Sequence, residues 1–253
     1  MKEDVFMKFG IDLGHGVNPD RGAVGNITEE TIINAVGSKV ISKLKSSGHS
    51  VVELRPASAN SVQDSLQQRY NKADYYNVDL VVSIHANAGG GVGTEVFTYK
   101  GKEVKEARNV LNNIVSLGFN NRGIKDGSNF AMVRKPIATS MLIEICFVDS
   151  SDSSLYGQIG AEKIANAIVK GITGQTVSID NKKYYVVTNY LPHAYDGYDG
   201  VDINYVLSYF SGVKCYVRGN EKGVWIETQY LPLEKCEELK ETLGSWFWKI
   251  AKN

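Results

Sequence analysis

Apolar residues in this chain alternate between short continuous runs and longer stretches with helical spacing. The runs Ile11–Leu13, Val51–Leu54, Leu80–Ile84 and Met141–Val148 each hold a single polar residue and are each bounded by glycine or polar residues. Continuous apolar runs of this kind predict strands buried on both faces of a sheet. Between the first two runs, Ile32, Ile33, Val36, Val40, Ile41 and Leu44 recur every three or four positions. That stripe predicts a helix, opened by Asn26 or Thr28 as cap and closed at Gly48. Similar spacing predicts helices over Val62–Tyr76, Val104–Leu117 and Gly160–Gly171, with a further strand over Gly93–Tyr99. Asn121–Lys125 reads as a loop or short strand. Strands that alternate with helices predict an α/β fold: a mostly parallel sheet with helices on both faces.

The pattern changes at Gly174. A polar stretch over 175–183 reads as a linker, which divides the chain into 1–174 and 184–253. The second part repeats itself. Thr188-Asn189-Tyr190-Leu191-Pro192 returns as Thr228-Gln229-Tyr230-Leu231-Pro232. Each copy ends a strand (Tyr184–Thr188, Val224–Thr228) and precedes a helix (Val201–Phe210, Leu233–Leu243). Each helix stops at a glycine before a further strand, Val213–Arg218 or Trp246–Ile250. Two βαβ halves predict a small ferredoxin-like βαββαβ α+β domain.

Composition narrows the function classes. Twenty-eight basic residues balance twenty-eight acidic ones, so no basic surface favours nucleic acid. No window approaches the roughly 18 apolar residues of a membrane span. Three cysteines do not make a disulfide framework, and Cys146 lies in a buried-type strand. The charged N-terminus lacks the apolar core of a signal peptide, so synthesis without an export signal is expected.

Two of the four histidines end apolar strands: His15 after Leu13-Gly14, and His85 after Ile84. Open α/β sheets place their sites at the carboxyl ends of strands. Glu144 sits inside the apolar run Met141–Phe147, where an unpaired carboxylate is costly unless it is protonated or near a metal. These three residues suggest a metal site, although a single strand-end histidine is more often a loop or capping residue. His49 reads as structural, and His193 has no assignment. Asn87 and Arg134 are candidates for substrate contact.

The motifs Asp12-Leu-Gly-His15-Gly, Glu30 with Asn34, Leu66-x-x-Arg69, Ser83-Ile-His85-Ala-Asn-Ala, Asn121-Arg-Gly-Ile and Leu142-Ile-Glu144-Ile-Cys-Phe-Val-Asp occur in this order. Over about Lys8–Gly174 the chain thereby resembles the zinc-dependent N-acetylmuramoyl-L-alanine amidases of the third amidase type. The resemblance implies one zinc ion held by His15, Glu30 and His85, with Glu29 the alternative acid. It also implies that Glu144 is the general base and then the proton donor. The implied reaction cleaves the amide between N-acetylmuramic acid and L-alanine in peptidoglycan. A short first domain without an export signal looks like a bacteriophage endolysin, which acts on the wall after release from the cytoplasm. The tail looks like the sporulation-related repeat, which implies binding to cell-wall glycan. Its many aromatic residues, Tyr184, Tyr185, Tyr190, Tyr195, Tyr198, Tyr205, Tyr209, Trp225, Tyr230, Trp246 and Trp248, suit sugar faces but also fill a small core. Two other readings stay open: a zinc exopeptidase acting on free peptides, and a wall-binding protein without catalysis. A tail that drives dimerisation is a third.

Overall fold

A computed structural model describes residues 6–174, 184–193, 196–197 and 200–252. The expected linker 175–183 and two of the tail's aromatic residues, Tyr195 and Tyr198, lie outside these described residues. The chain forms two compact units, Met1–Val177 and Ser178–Asn253.

In the first unit six strands make one sheet: β1 (Lys8–Leu13), β2 (Ser50–Glu53), β3 (Leu80–Asn87), β4 (Thr94–Thr98), β5 (Asn121–Asp126) and β6 (Thr139–Phe147). Their order is β2-β1-β3-β6-β4-β5. Neighbours run parallel except β4 and β6, which are antiparallel. Helices α1 (Glu29–Ser46), α2 (Val62–Tyr75), α3 (Lys105–Val115) and α4 (Ala131–Arg134) lie between these strands, and α5 (Asp152–Ile159) and α6 (Ala161–Thr173) follow β6. Both faces are covered, as β3 makes plain. Leu80, Val82 and Ile84 join the core beneath α1, α3 and α6, while Val81 joins the smaller core beneath α2 and α4. Alternate side chains of a strand point to opposite faces, so a strand lined on both faces reads as continuously apolar.

Thr28 caps α1, its Oγ1 accepting from the Thr31 N–H at 3.2 Å. Asn26, the other candidate cap, instead donates to Ser150 O at 3.2 Å. Helices α4 and α5 have no counterpart in the sequence reading. The first is four residues long, and the second begins in the serine-rich stretch 150–154, where apolar periodicity is weak. Asp152 ties α5 down by accepting from Gly93 N (2.7 Å) and Phe147 N (3.0 Å).

The second unit comprises β7 (Tyr184–Thr188), α7 (Ile203–Leu207), β8 (Cys215–Asn220), β9 (Gly223–Thr228), α8 (Leu233–Leu243) and β10 (Phe247–Lys252). A 3₁₀ turn over Ser208–Phe210 extends α7. The sheet order β10-β7-β9-β8, antiparallel throughout, is that of a ferredoxin-like βαββαβ domain. The repeat is structural as well as textual. Ile226 N donates to Thr188 Oγ1 at 3.0 Å, and Val186 N donates to Thr228 Oγ1 at 2.9 Å. Leu191 N bonds to Val224 O and Leu231 N to Tyr184 O, both at 2.7 Å. The rings of Tyr190 and Trp225 meet edge-on at 5.8 Å, and those of Tyr230 and Tyr185 at 5.9 Å. Shifting either contact of each pair by forty residues reproduces the other, so the two halves exchange equivalent bonds about a local pseudo-twofold axis.

Candidate metal centre

The carboxyl ends of β1 and β3 lie side by side, Leu13 in register with Ile84. The chain leaves β1 through Gly14, and a Cβ at that position would sit inside the His85 ring. Only a glycine lets the two strand ends bring their histidines together. His15 itself takes φ 53°, a left-handed conformation that is uncommon for a non-glycine residue. Such conformations persist only where the surroundings over-determine them. Here two guanidinium groups grip three successive carbonyls. Arg69 donates to Leu13 O (2.7 Å) and His15 O (2.8 Å), while Arg55 donates to Leu13 O (2.8 Å) and Gly14 O (2.9 Å). Arg69 is fully buried, and Asp12 accepts from it at 2.6 Å.

The His15 and His85 rings stand edge to face, 4.9 Å between centroids. His15 Nδ1 is held by Asp20 Oδ1 at 2.8 Å, which turns Nε2 towards Glu29 Oε2, 3.6 Å away. A carboxylate on one ring nitrogen fixes the tautomer and leaves the other nitrogen free to bind a metal. His85 Nδ1 lies 3.0 Å from Glu29 Oε1. Donor atoms of His15, Glu29 and His85 all fall within 4.8 Å of one another, close enough to hold one metal ion. Glu29 is further anchored by backbone amides: Ala23 N at 2.9 Å and Ala86 N at 3.1 Å.

The structure therefore groups Glu29, and not the expected Glu30, with the two histidines. Successive helical residues point about 100° apart. In the first turn of α1 that rotation carries Glu29 under the sheet edge and Glu30 outward. Glu30 makes a two-pronged ion pair with Arg21, 2.7 Å in each prong, and accepts from Gly22 N at 3.2 Å. The four-residue spacing from Glu30 to Asn34 does mark a shared helix face, but that face meets Arg55, whose Nη1 donates to Asn34 at 2.7 Å.

Electrostatics follow the contacts. Burial alone would lower the His15 pKa, but the Asp20 hydrogen bond and the charges of Glu29 and Asp20 outweigh it, so it lies above its ordinary value. Burial would raise Asp20, yet the hydrogen bonds from His15 and Ser65 bring it down to about 2. Glu29 is lowered despite its burial, chiefly by His85.

Glu144 stands beside this trio, in register with His85 on one side and with Glu95 of β4 on the other. Its Oε2 is buried and has no hydrogen-bond partner among the described residues. Burial, then the charges of Glu29 and Glu95, push its pKa well above the usual carboxylate range. Cys146 has its thiol pKa raised, mainly by burial, which argues against a thiolate nucleophile. His49 is buried against Phe9 and its Nδ1 accepts from Met7 N, a structural role. Asn87 donates to Glu95 at 2.9 Å. Sequence reasoning assigned no role to Asp20 or Arg55. Asp20 lies in a glycine-rich loop with no periodicity, and neither residue belongs to an apolar run.

Comparison with known proteins identifies the family of the first unit. Residues 10–174 match the family model described as N-acetylmuramoyl-L-alanine amidase. The uncharacterized protein YqiI of Bacillus subtilis is 37% identical over 172 residues, covering 64% of this chain and 81% of that protein. The endolysin of Bacillus phage SPP1 is 29% identical over 182 residues, covering 68% and 66%. Among solved structures, the N-acetylmuramoyl-L-alanine amidase AmiC2 of Nostoc punctiforme superposes with a TM-score of 0.57 at 30% identity, covering 66% of this chain and 94% of that one. The chain spans about half the length of other curated relatives that it matches, 53% and 51% in two cases.

Proposed function

The chain belongs to the N-acetylmuramoyl-L-alanine amidase family, and from that premise we propose that it is a zinc-dependent, endolysin-type peptidoglycan hydrolase. Its reaction is hydrolysis of the amide between the lactyl group of N-acetylmuramic acid and L-alanine. The observation that carries this reading is the pairing of the His15–Glu29–His85 trio with the unpartnered Oε2 of Glu144.

The donor set fits zinc. Two imidazoles and one carboxylate leave a fourth position open, the pattern of catalytic rather than structural sites. A bound zinc ion supplies a Lewis acid that polarises the scissile carbonyl and acidifies water. His15 would bind through Nε2, because Asp20 occupies Nδ1. Glu144 takes the proton from the attacking water as its oxygen bonds to the carbonyl carbon. It then delivers that proton to the nitrogen of L-alanine as the C–N bond breaks. The products are a lactyl carboxylate and a stem peptide with a free amino group, the second proton of the water passing to that amine or to solvent. A cation in the trio would offset the Glu29 charge, removing one cause of the raised Glu144 pKa and suiting it to the base role.

The second unit, by this reading, holds the enzyme on wall glycan. Support comes from the sheet face opposite its core, where Tyr185, Trp225 and Tyr216 stand among Lys249, Arg218 and Glu227. Aromatic rings with polar edges suit sugar faces. No helix among the described residues is long and apolar enough to cross a membrane.

The test is digestion of purified Gram-positive walls by the wild type and Glu144→Ala, each with and without chelator. Zinc-dependent and Glu144-dependent clearing with newly exposed L-alanine amino termini is expected. New amino termini only within the stem peptide would favour the exopeptidase reading. Binding without cleavage at every metal condition would leave only a wall-binding protein.

A further inference from the structure

The Asn121-Arg-Gly-Ile motif takes no part in the metal trio. It lies on β5, where the register with β4 slips: Thr94 faces Asn121, but Val96 faces Ile124. Two residues, Arg122 and Gly123, therefore stand opposite Glu95 alone. Gly123 adopts φ 89° with open space where a Cβ would be, so its requirement is conformational. This is a β-bulge, a device that re-aims a side chain at a sheet edge or beside an active site.

Its effect is to bring Arg122 and Lys125 onto the same carboxylate. Arg122 Nε donates to Glu95 Oε2 at 2.7 Å, and Lys125 Nζ lies 2.5 Å from the same oxygen. Glu95 is buried, but the two cations are 34% and 37% exposed. Two cations on one carboxylate leave an excess positive charge at an accessible position. Glu144 pairs with Glu95 across the sheet and, among the described residues, makes no ion pair with either cation, while Asp149 and Asp152 accept from the backbone amides of Gly89, Gly90, Gly93 and Phe147. Arg122 lies over the Phe147 ring, 4.8 Å from its centroid, and its terminal amino groups have no protein partner among the described residues. A flat guanidinium braced on a ring, with its paired donors free, is suited to a carboxylate.

The placement matches the reaction. Strand order across the site is β3, β6, β4, β5, which carry His85, Glu144, Glu95 and Arg122 in turn. The cations thus lie beyond Glu144, on the side away from the metal trio. Two strand spacings span ~10 Å, and an arginine side chain reaches back across part of that distance. In the amidase reading Glu144 hands its proton to the leaving nitrogen, which sets the leaving peptide at Glu144 and within reach of this side.

We propose that Arg122, seconded by Lys125, is a specificity-determining subsite for a carboxylate on the stem peptide one residue beyond L-alanine. The proposal rests on the amidase reading, and its test separates the two. The substrates are N-acetylmuramoyl-L-alanyl-D-glutamate and its D-isoglutamine counterpart, which differ by one carboxylate against a carboxamide. Wild type, Arg122→Met and Lys125→Met are compared for kcat and KM on both. Arg122→Met leaves Glu95 paired with Lys125 and Asn87, so the fold is expected to persist, with circular dichroism as the check. The wild type should prefer the carboxylate by about ten- to thirty-fold, chiefly through KM, as suits a charge-assisted hydrogen bond. Arg122→Met should abolish the preference and Lys125→Met reduce it. Calorimetric binding of L-alanyl-D-glutamate to Glu144→Gln protein should weaken in parallel when Arg122→Met is added. Equal cleavage of both substrates by the wild type, or an Arg122→Met loss shared equally between them, overturns the subsite and leaves the amidase standing. No cleavage of either substrate, with Arg122-dependent peptide binding intact, overturns the amidase and leaves the subsite. No cleavage and no Arg122-dependent binding overturns both.

Discussion

In the first unit Asp12, Asp20, Glu29, Arg69, Glu95 and Asp152 are all buried, whereas the buried polar side chains of the second, among the described residues, are Thr188 and Thr228. Both units bury apolar cores, and both cross-link their strands through side chains. The first does so with charges whose desolvation is offset only when each partner is present. The second uses neutral hydroxyls in two equivalent copies. Charge is buried where a trio of ligands and a neighbouring acid must be held at fixed separations; among the described residues of the second unit, whose exposed face is the candidate binding surface, no charged side chain is buried. A unit built on charged networks should fail abruptly when one member is removed, and one built on repeated neutral bonds should fail by degrees.

The sharpest contrast is between chemistry and stability at one residue. Glu144→Gln should reduce wall hydrolysis by about 10²–10⁴-fold, the usual worth of a general acid–base group. The same change should leave thermal stability of the metal-free protein unchanged or higher, because it removes a buried carboxylate with no partner for Oε2. A drop in Tm would show that Glu144 has a structural partner. Next comes Arg69→Met, which removes the buried cation shared by Asp12 and Asp20 and leaves them only Ser83, Ser65 and His15. It should cost about 3–5 kcal/mol in the first unit. Urea titration followed by hydrogen exchange should show that loss confined to the first unit; a cost below 1 kcal/mol would break the comparison.

Glu29→Gln should weaken zinc binding by at least about a hundredfold, beyond the effect expected for a residue that only supports a ligand. Glu30→Gln should change it less than about threefold, since it lies on the Arg21 side. Competition with a zinc-binding dye measures both, and equal losses would reinstate Glu30. pH adds a further discriminator. His15 has a raised pKa, so in the metal-free protein its contribution to stability is full below about 6.5 and is lost as pH rises through the higher folded value. Zinc requires the neutral ring, so its affinity should rise by up to about tenfold per pH unit across the same window. Stability and affinity should have opposite slopes; parallel slopes would remove His15 from the site. The smallest effects belong to the second unit. Thr188→Val and Thr228→Val should each cost roughly 1–3 kcal/mol, and by similar amounts, because each leaves one equivalent buried N–H unpaired. Markedly unequal costs would deny the functional equivalence of the halves.

His15, His85 and Glu144 were legible because each interrupts or ends an apolar strand, where a polar residue needs a reason. The sheet was legible for the same cause, from continuous runs and helical stripes. Glu29 was not, because the choice between adjacent acids rests on a rotation of one residue at a helix start. That rotation is set by the Thr28 cap and by the amides of Ala23 and Ala86, which spacing does not encode. Asp20 and Arg55 act from loops, where no period marks an inward-facing residue. The bulge on β5 depended on a pairing partner, Glu95, that is remote in sequence.

The exchanged bonds of the second unit make its folding an association reaction conducted within one chain. Each half presents to the other the surface that the other presents to it, as in an isologous dimer. The Glu221-Lys222 turn between β8 and β9 joins the halves and holds them at a high effective concentration. Separated at that turn, each half would retain a self-complementary edge, with nothing to distinguish its missing counterpart from a second copy of itself.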